Sequence, residues 1–143
     1  MSTAAVELTL HFLRKLDYLH LTAGVARLVC ETVKDPELPK TFVDEVELAV
    51  SEACTNAIRH VAKDDALGRV GISFQVYESL LVIEVKDQGK GFEINEVPLP
   101  EFDQHPEGGY GLYIIRTVMD EVQYTRGDDY NTLTMKKYFK QQG

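Results

Sequence analysis

Glu52, Asn56 and Arg59 are the first side chains of this 143-residue sequence whose types and spacing suggest chemistry. They lie in the run Val46-Glu47-Leu48-Ala49-Val50-Ser51-Glu52-Ala53-Cys54-Thr55-Asn56-Ala57-Ile58-Arg59-His60, which reads as a helix. At about 100° per residue, Asn56 falls roughly 40° and Arg59 roughly −20° around the axis from Glu52. Val46, Val50, Ala53, Ala57 and Val61 occupy a separate arc, as a core-facing stripe should. A Glu and an Arg two turns apart commonly form a solvated pair. An Asn in mid-helix is harder to explain, because its propensity there is poor and caps or turns suit it better. Glu with Asn four residues on offers a proton acceptor beside a neutral oxygen ligand, an arrangement suited to a Mg²⁺-nucleotide.

Two glycine-bearing segments downstream could serve the same ligand. Asp87-Gln88-Gly89-Lys90-Gly91-Phe92 follows directly on an apolar strand. A carboxylate at a strand end can accept a hydrogen bond from an exocyclic amine, and the glycines let backbone approach a flat ring or sugar. The same residue types would equally serve a plain turn. Gly108-Gly109-Tyr110-Gly111-Leu112 opens a later helix, whose free N–H groups and positive end favour phosphate without a basic side chain. The alternative there is close packing alone. No Lys-Ser/Thr follows these glycines, so the segment is not a P-loop. No strand leads directly into them either, which excludes a dinucleotide fingerprint.

The elements that must position these groups can be read from periodicity. Residues 6–13 alternate as a strand, with Val6, Leu8, Leu10 and Phe12 on one face. Residues 18–33 turn helical through Leu21, Val25, Leu28, Val29 and Thr32, and Asp35-Pro36-Glu37-Leu38-Pro39 stops that helix. Thr41 caps the next, in a box whose final acid is Asp44, and this helix runs to about residue 62. Residues 70–77 and 80–86 form a hairpin around Glu78-Ser79. Residues 87–109 make a long irregular stretch with four glycines and three prolines, the character of a functional lid. A helix over 110–119, with Leu112, Ile115, Val118 and Met119 inward, and a closing hairpin of 122–125 with 133–139 complete the chain. This order predicts an α/β sandwich: one mixed, mostly antiparallel sheet with helices packed on one face.

Bulk properties narrow the function. A chain of 143 residues with 44% apolar content fits a single globular domain, taken as residues 1–143. A net charge of −8 argues against nucleic acid or an anionic membrane as the main partner. It leaves room for an anionic ligand held by local dipoles or a metal. Cys30 and Cys54 lack metal-type neighbours and read as reduced core thiols. Neither a leader-type N-terminus nor 18 uninterrupted apolar residues is found, so a cytoplasmic location is expected.

Taken in order, Glu-x-x-x-Asn on a helix, Asp-x-Gly-x-Gly after a strand and Gly-x-Gly-Leu opening a helix resemble three boxes of one superfamily. It is the histidine-kinase-like (Bergerat) ATP-binding superfamily, shared by gyrase, a heat-shock chaperone, histidine kinases and a mismatch-repair protein. Within it the sequence most resembles the bacterial anti-sigma-factor serine/threonine kinases, through residues 51–60 and through residues 107–115 with 119–122. The resemblance implies Glu52 as general base and Asn56 as Mg²⁺ ligand. Asp87 would recognise the adenine amine, and Gly89, Gly91 and Phe92 would pass beside the nucleotide. Gly108, Gly109, Tyr110, Gly111 and Leu112 would wrap the phosphates of ATP or ADP with main-chain amides. It also implies a serine or threonine of a small anti-anti-sigma (STAS-type) protein as substrate, an alternative sigma factor as second partner, and a homodimer.

Three departures qualify the carry-over. The lid from Phe92 to Tyr110 has no Lys or Arg, only His105, so Arg59, or else Lys90, is expected to supply positive charge. Where relatives carry Gly-Thr before the last strand, this chain has Tyr130-Asn131-Thr132, leaving Asn131 or Thr132 to take the hydrogen-bonding role near adenine. The first helix, which docks sigma in some members, offers His20, Gly24 and Arg27 but no assignable contact. Three readings follow: a sigma-sequestering kinase, a switch kinase of a signalling scaffold without sigma binding, and a non-catalytic nucleotide-gated module. The presence of Glu52 weighs against the last.

Overall fold

The fold is described from a computed structural model that covers residues 3–59, 68–87 and 109–140. Strand β1 spans Val6–Leu13. Strands β2, Arg69–Val76, and β3, Leu80–Asp87, form a hairpin closed by the Tyr77 N–H donating to the Leu80 carbonyl at 2.8 Å. Strands β4, Glu121–Arg126, and β5, Asn131–Tyr138, form the last hairpin. The five make one sheet in the order β1-β2-β3-β5-β4, antiparallel at each described pairing. The expected sandwich is therefore the observed one.

Register decides which side chains meet the helices, because successive residues point to opposite faces. Leu10, Ile72, Val85 and Leu133 share one cross-strand row, and Leu8, Phe74, Ile83 and Met135 the next. Ile72, Phe74, Ile83 and Met135 are fully buried. The intervening row Thr9, Ser73, Glu84 and Thr134 lies on the other, polar face.

Among the described residues, three helices pack on the apolar face. A short 3₁₀ turn, Leu16–Tyr18, leads into α1, Leu19–Cys30; α2 spans Phe42–Arg59 and α3 spans Gly109–Val118. The Glu45 N–H donates to the Thr41 carbonyl at 2.8 Å, so α2 starts where the Thr41 signal placed it. Its buried stripe runs through Phe42, Val46, Ala49, Val50, Ala53, Cys54 and Ala57.

Helix α1 corrects the sequence reading. Thr22, Ala26, Val29 and Cys30 are the buried residues, whereas Leu21 and Leu28 are 47% and 62% exposed and Thr32 lies beyond the helix on the surface. Small residues at the contact let α1 approach the small-residue stripe of α2, and leucines there would force the axes apart. The Thr22 hydroxyl donates to the Leu19 carbonyl at 2.9 Å, which meets its need for a partner. On the outside, Arg27 pairs with Asp44 at 3.0 Å and Glu47 at 2.5 Å. Exposed pairs of this kind contribute only about 0–1 kcal/mol each.

Lys137 ties three elements together at the far end of the helices. Its ammonium donates to the Val118 carbonyl at 2.5 Å, lies 3.8 Å from Glu45, and sits 5.5 Å from the Phe42 ring centre.

Candidate active site

The stripe that docks α2 also sets its rotation. With Ala53, Cys54 and Ala57 turned into the core, Glu52 and Asn56 emerge along its edge, one turn apart. Glu52 is half-buried and Asn56 is buried. Opposite them stands the first turn of α3. A Cβ built on Gly111 would lie 2.8 Å from Glu52 Oε2 and 3.2 and 3.3 Å from Asn56 Oδ1 and Nδ2. Only glycine lets the two helices meet in this way without moving the carboxylate.

The cradle at Gly111 thus brings a carboxylate oxygen and an amide oxygen to the start of a helix whose first N–H groups lack intrahelical partners. Hard oxygen donors in small number fit Mg²⁺, which keeps several waters and is usually completed by substrate phosphates. Among the described residues no group of three or more His, Cys, Asp or Glu forms a metal cluster.

A second pair lies at the same end of the sheet. Asp87 closes β3 directly opposite Asn131, the first residue of β5. Both are buried, at 8% and 3% exposure, and Asn131 Nδ2 donates to Asp87 Oδ1 at 3.3 Å. Thr132 pairs with Lys86 and Thr125, so strand alternation sends it to the outer face, away from Asp87. Of the two residues offered for the adenine role, the fold brings Asn131 to Asp87 and not Thr132.

The remaining expected residues are placed as follows. Gly109 and Tyr110 begin α3, and Leu112 turns its side chain into the core at 2% exposure. Any contribution of Leu112 to a phosphate site is therefore through its main chain. Arg59 is exposed on the last turn of α2, where a cation also complements the helix C-terminus. Gly89, Gly91, Phe92, Gly108, Lys90 and the lid histidine lie outside the described residues.

Two further features adjoin the site. Cys54 is buried between the site residues of α2, and burial pushes its thiol up to about 12, partly offset by a hydrogen bond with Thr22. Cys30 is raised to about 11 for the same reason, burial. Both are free, inert core thiols, as expected. On the outer sheet face, a cleft of about 320 Å³ is lined by His11, Arg69, Gly71, Lys86, Asp87 and Tyr130. It touches Asp87 from the side away from the helices and contains neither Glu52 nor Asn56.

Lys137 is a structural residue that the sequence reading does not single out. Its signal is nonetheless available, since alternation from Leu133 and Met135 puts residue 137 on the helix side.

An α/β sandwich with a carboxylate and an amide on one helix, facing a glycine at the start of another, is a make-up suited to a nucleotide-binding domain. A family model described as "Histidine kinase-like ATPase domain" matches residues 16–137, and the chain belongs to that family. Among curated proteins it is similar to "Serine-protein kinase RsbW" of Bacillus licheniformis. Identity there is 40% over 108 residues, covering 70% of this chain and 67% of the relative. The protein of the same name from Bacillus velezensis is 38% identical over 125 residues, covering 80% and 77%. A solved structure of the RsbU and RsbW domains of Rv1364c from Mycobacterium tuberculosis matches with a TM-score of 0.67. That match covers 93% of this chain and 32% of the other at 15% identity, so it speaks for the fold alone.

Proposed function

We propose that this protein is an ATP-dependent serine/threonine kinase that phosphorylates an anti-anti-sigma protein of STAS type and sequesters an alternative sigma factor when that substrate is unavailable. The observation that carries the reading is the convergence of Glu52, Asn56 and Gly111, supported by the likeness to the serine-protein kinases. In this reading Glu52 takes the proton from the incoming hydroxyl. The hydroxyl oxygen bonds to the γ-phosphorus as the bond to the β-phosphate oxygen breaks, leaving ADP. Asn56 holds Mg²⁺, which offsets phosphate charge when bound. The amides of Gly109 to Leu112 take the phosphates, and Asp87 takes the adenine amine. Gly89, Gly91 and Phe92 flank the nucleotide, and Arg59 adds the cation that the lid lacks.

The sigma-binding part rests on the likeness and on the outer side of α1, where Leu21, Gly24 and Leu28 are exposed beside Arg27. A homodimer in the cytoplasm completes the proposal. No helix among the described residues is long and apolar enough to cross a membrane.

The test is incubation with Mg²⁺-ATP and a panel of STAS-type candidates, reading phosphoserine and phosphothreonine by mass spectrometry, alongside Glu52→Gln. The expected result is transfer by the native protein and a loss on the order of 10²–10⁴-fold in the variant, with ADP affinity retained. Equal rates in both would remove Glu52 as the base. Transfer without co-purification of any sigma factor would leave the scaffold-switch form of the kinase.

A further inference from the structure

We propose that the cleft on the outer face of the sheet is a second binding site, for the phosphate group of a phosphate monoester carried by a small molecule or by a phosphorylated side chain. The inference goes beyond the kinase reading and does not depend on it.

Register and one glycine build the site. His11, Gly71 and Lys86 stand in a single cross-strand row of β1, β2 and β3. Neighbouring strands lie about 4.8 Å apart, so the His11 and Lys86 backbones are about 10 Å apart with no side chain between them. Gly71 is therefore the floor of a trough. The imidazole leans over it: a Cβ built on Gly71 would lie 3.0 Å from His11 Nδ1 and 3.1 Å from Cε1. Arg69, two residues earlier on β2, projects from the same face and closes one end. Tyr130 forms a wall, with Lys86 Nζ 4.9 Å from its ring centre. The cleft so bounded, of about 320 Å³, is at the small end of the range for ligand sites.

Charge makes the trough selective for an anion. The chain carries a net charge of −8, yet the side chains that enter this cleft belong to an arginine, a lysine, a histidine and a tyrosine. Asp87 also lines it, but alternation from Val85 turns its side chain to the helix face. Among the described residues no carboxylate forms an ion pair with Arg69 or Lys86. The Tyr130 ring holds the Lys86 ammonium without neutralising it. The guanidinium offers a two-pronged donor, the ammonium a point charge and the imidazole a ring N–H. Donors on three strands suit the three terminal oxygens of a phosphate monoester, whereas a carboxylate is satisfied by the arginine alone.

The ligand's extent is bounded as well. His11, Gly71 and Lys86 also line an adjoining hollow of about 230 Å³, where Glu84 joins Thr9 and Ser73. The Glu84 carboxylate repels a second negative group there. A polyanion running along the sheet is thus disfavoured, and a single phosphate is accepted.

The test is a titration of the intact protein followed by amide-resolved NMR, with saturating Mg²⁺-ADP so that the nucleotide site does not compete for phosphate. Shifts are read residue by residue, so a failure of ADP to bind, which would count against the kinase reading, leaves this result legible. The probes are O-phospho-L-serine and a short phosphoserine peptide with blocked ends, with L-glutamate as the carboxylate control. Saturable shifts at Gly71, Ser73 and Lys86 are expected with both phosphorylated probes, and binding of glutamate at least about tenfold weaker. A peptide that binds more tightly than free phosphoserine assigns the ligand to a phosphorylated protein; equal or weaker binding assigns it to a small phosphate.

Two variants complete the test. Gly71→Ala fills the floor and displaces the imidazole, and should abolish the shifts. Arg69→Gln, at an exposed position, keeps the fold and should weaken phosphoserine about tenfold, as for loss of a charge-assisted hydrogen bond. It gives the answer even where Gly71→Ala does not fold. Shifts absent from this row or confined to the first turn of α3 would overturn the proposal. So would glutamate binding as tightly as phosphoserine, or an Arg69→Gln variant with native affinity.

Discussion

Gly111 shows how one missing side chain can set the geometry of the proposed active site. Helical glycine is disfavoured by about 1 kcal/mol relative to alanine, so a Gly→Ala change in a helix normally stabilises. Here the added methyl would meet Glu52 Oε2 at 2.8 Å and the Asn56 amide at 3.2 and 3.3 Å. The carboxylate is half-buried at the end of a flexible stem, so it can give way, and the fold survives. The two effects pull apart: Gly111→Ala should leave the melting temperature unchanged or slightly higher while phosphotransfer falls about 10²-fold, the usual result of displacing a reacting group by roughly 1 Å. Thermal melts and single-turnover transfer rates on the same preparation would check it. A variant that melts early and loses activity in proportion would show that Gly111 serves packing alone. Asn56 is legible in the sequence because its type is costly in mid-helix, and Glu52 because it stands one turn before it on the same side. That Gly111 is what they face is not legible, since it depends on how α3 docks on α2.

At the scale of elements, the order and the strand positions are readable from the sequence to within a residue or two, and the side-chain parity is not always so. Thr132 and Asn131 can each both donate and accept a hydrogen bond. Only the Asp87–Asn131 register distinguishes them, and register is a property of two strands 44 residues apart. Helix α1 is misread for a related reason. Periodicity favours its largest apolar residues, Leu21 and Leu28, yet contact with the small-residue stripe of α2 selects the smaller Thr22 and Ala26. The offset makes a sharp contrast between neighbours. Leu28→Glu, at a position 62% exposed, should change stability by no more than about 0.5 kcal/mol. Val29→Ala, at a position 4% exposed, should cost about 2 kcal/mol through lost burial and a residual cavity. Urea denaturation of both variants would decide it, and a larger loss for Leu28→Glu would mean that α1 is rotated from the orientation described.

For the whole molecule, the site depends on two antiparallel helices held at their distal ends. Gly111 meets Glu52 near one end of the α2–α3 contact, and Lys137 joins Val118 of α3 to Glu45 and Phe42 of α2 near the other. A buried ammonium is expensive to desolvate, and its net worth depends on the partners it meets. Lys137 meets a helix C-terminal carbonyl, a half-buried carboxylate and an aromatic face. Its stem also fills space beside Phe42. Truncation removes stem and charge together, so Lys137→Ala should destabilise by about 2–3 kcal/mol, through the lost packing of the stem and the lost hydrogen bond to the Val118 carbonyl. Lys137→Met keeps the stem and removes the charge along with its desolvation cost, so it should recover at least half of that loss. Chemical denaturation of the two variants separates packing from charge. If Met proves as damaging as Ala, the ammonium itself holds α3 against α2, and nucleotide affinity should fall with stability because the first turn of α3 is then free to drift from Glu52.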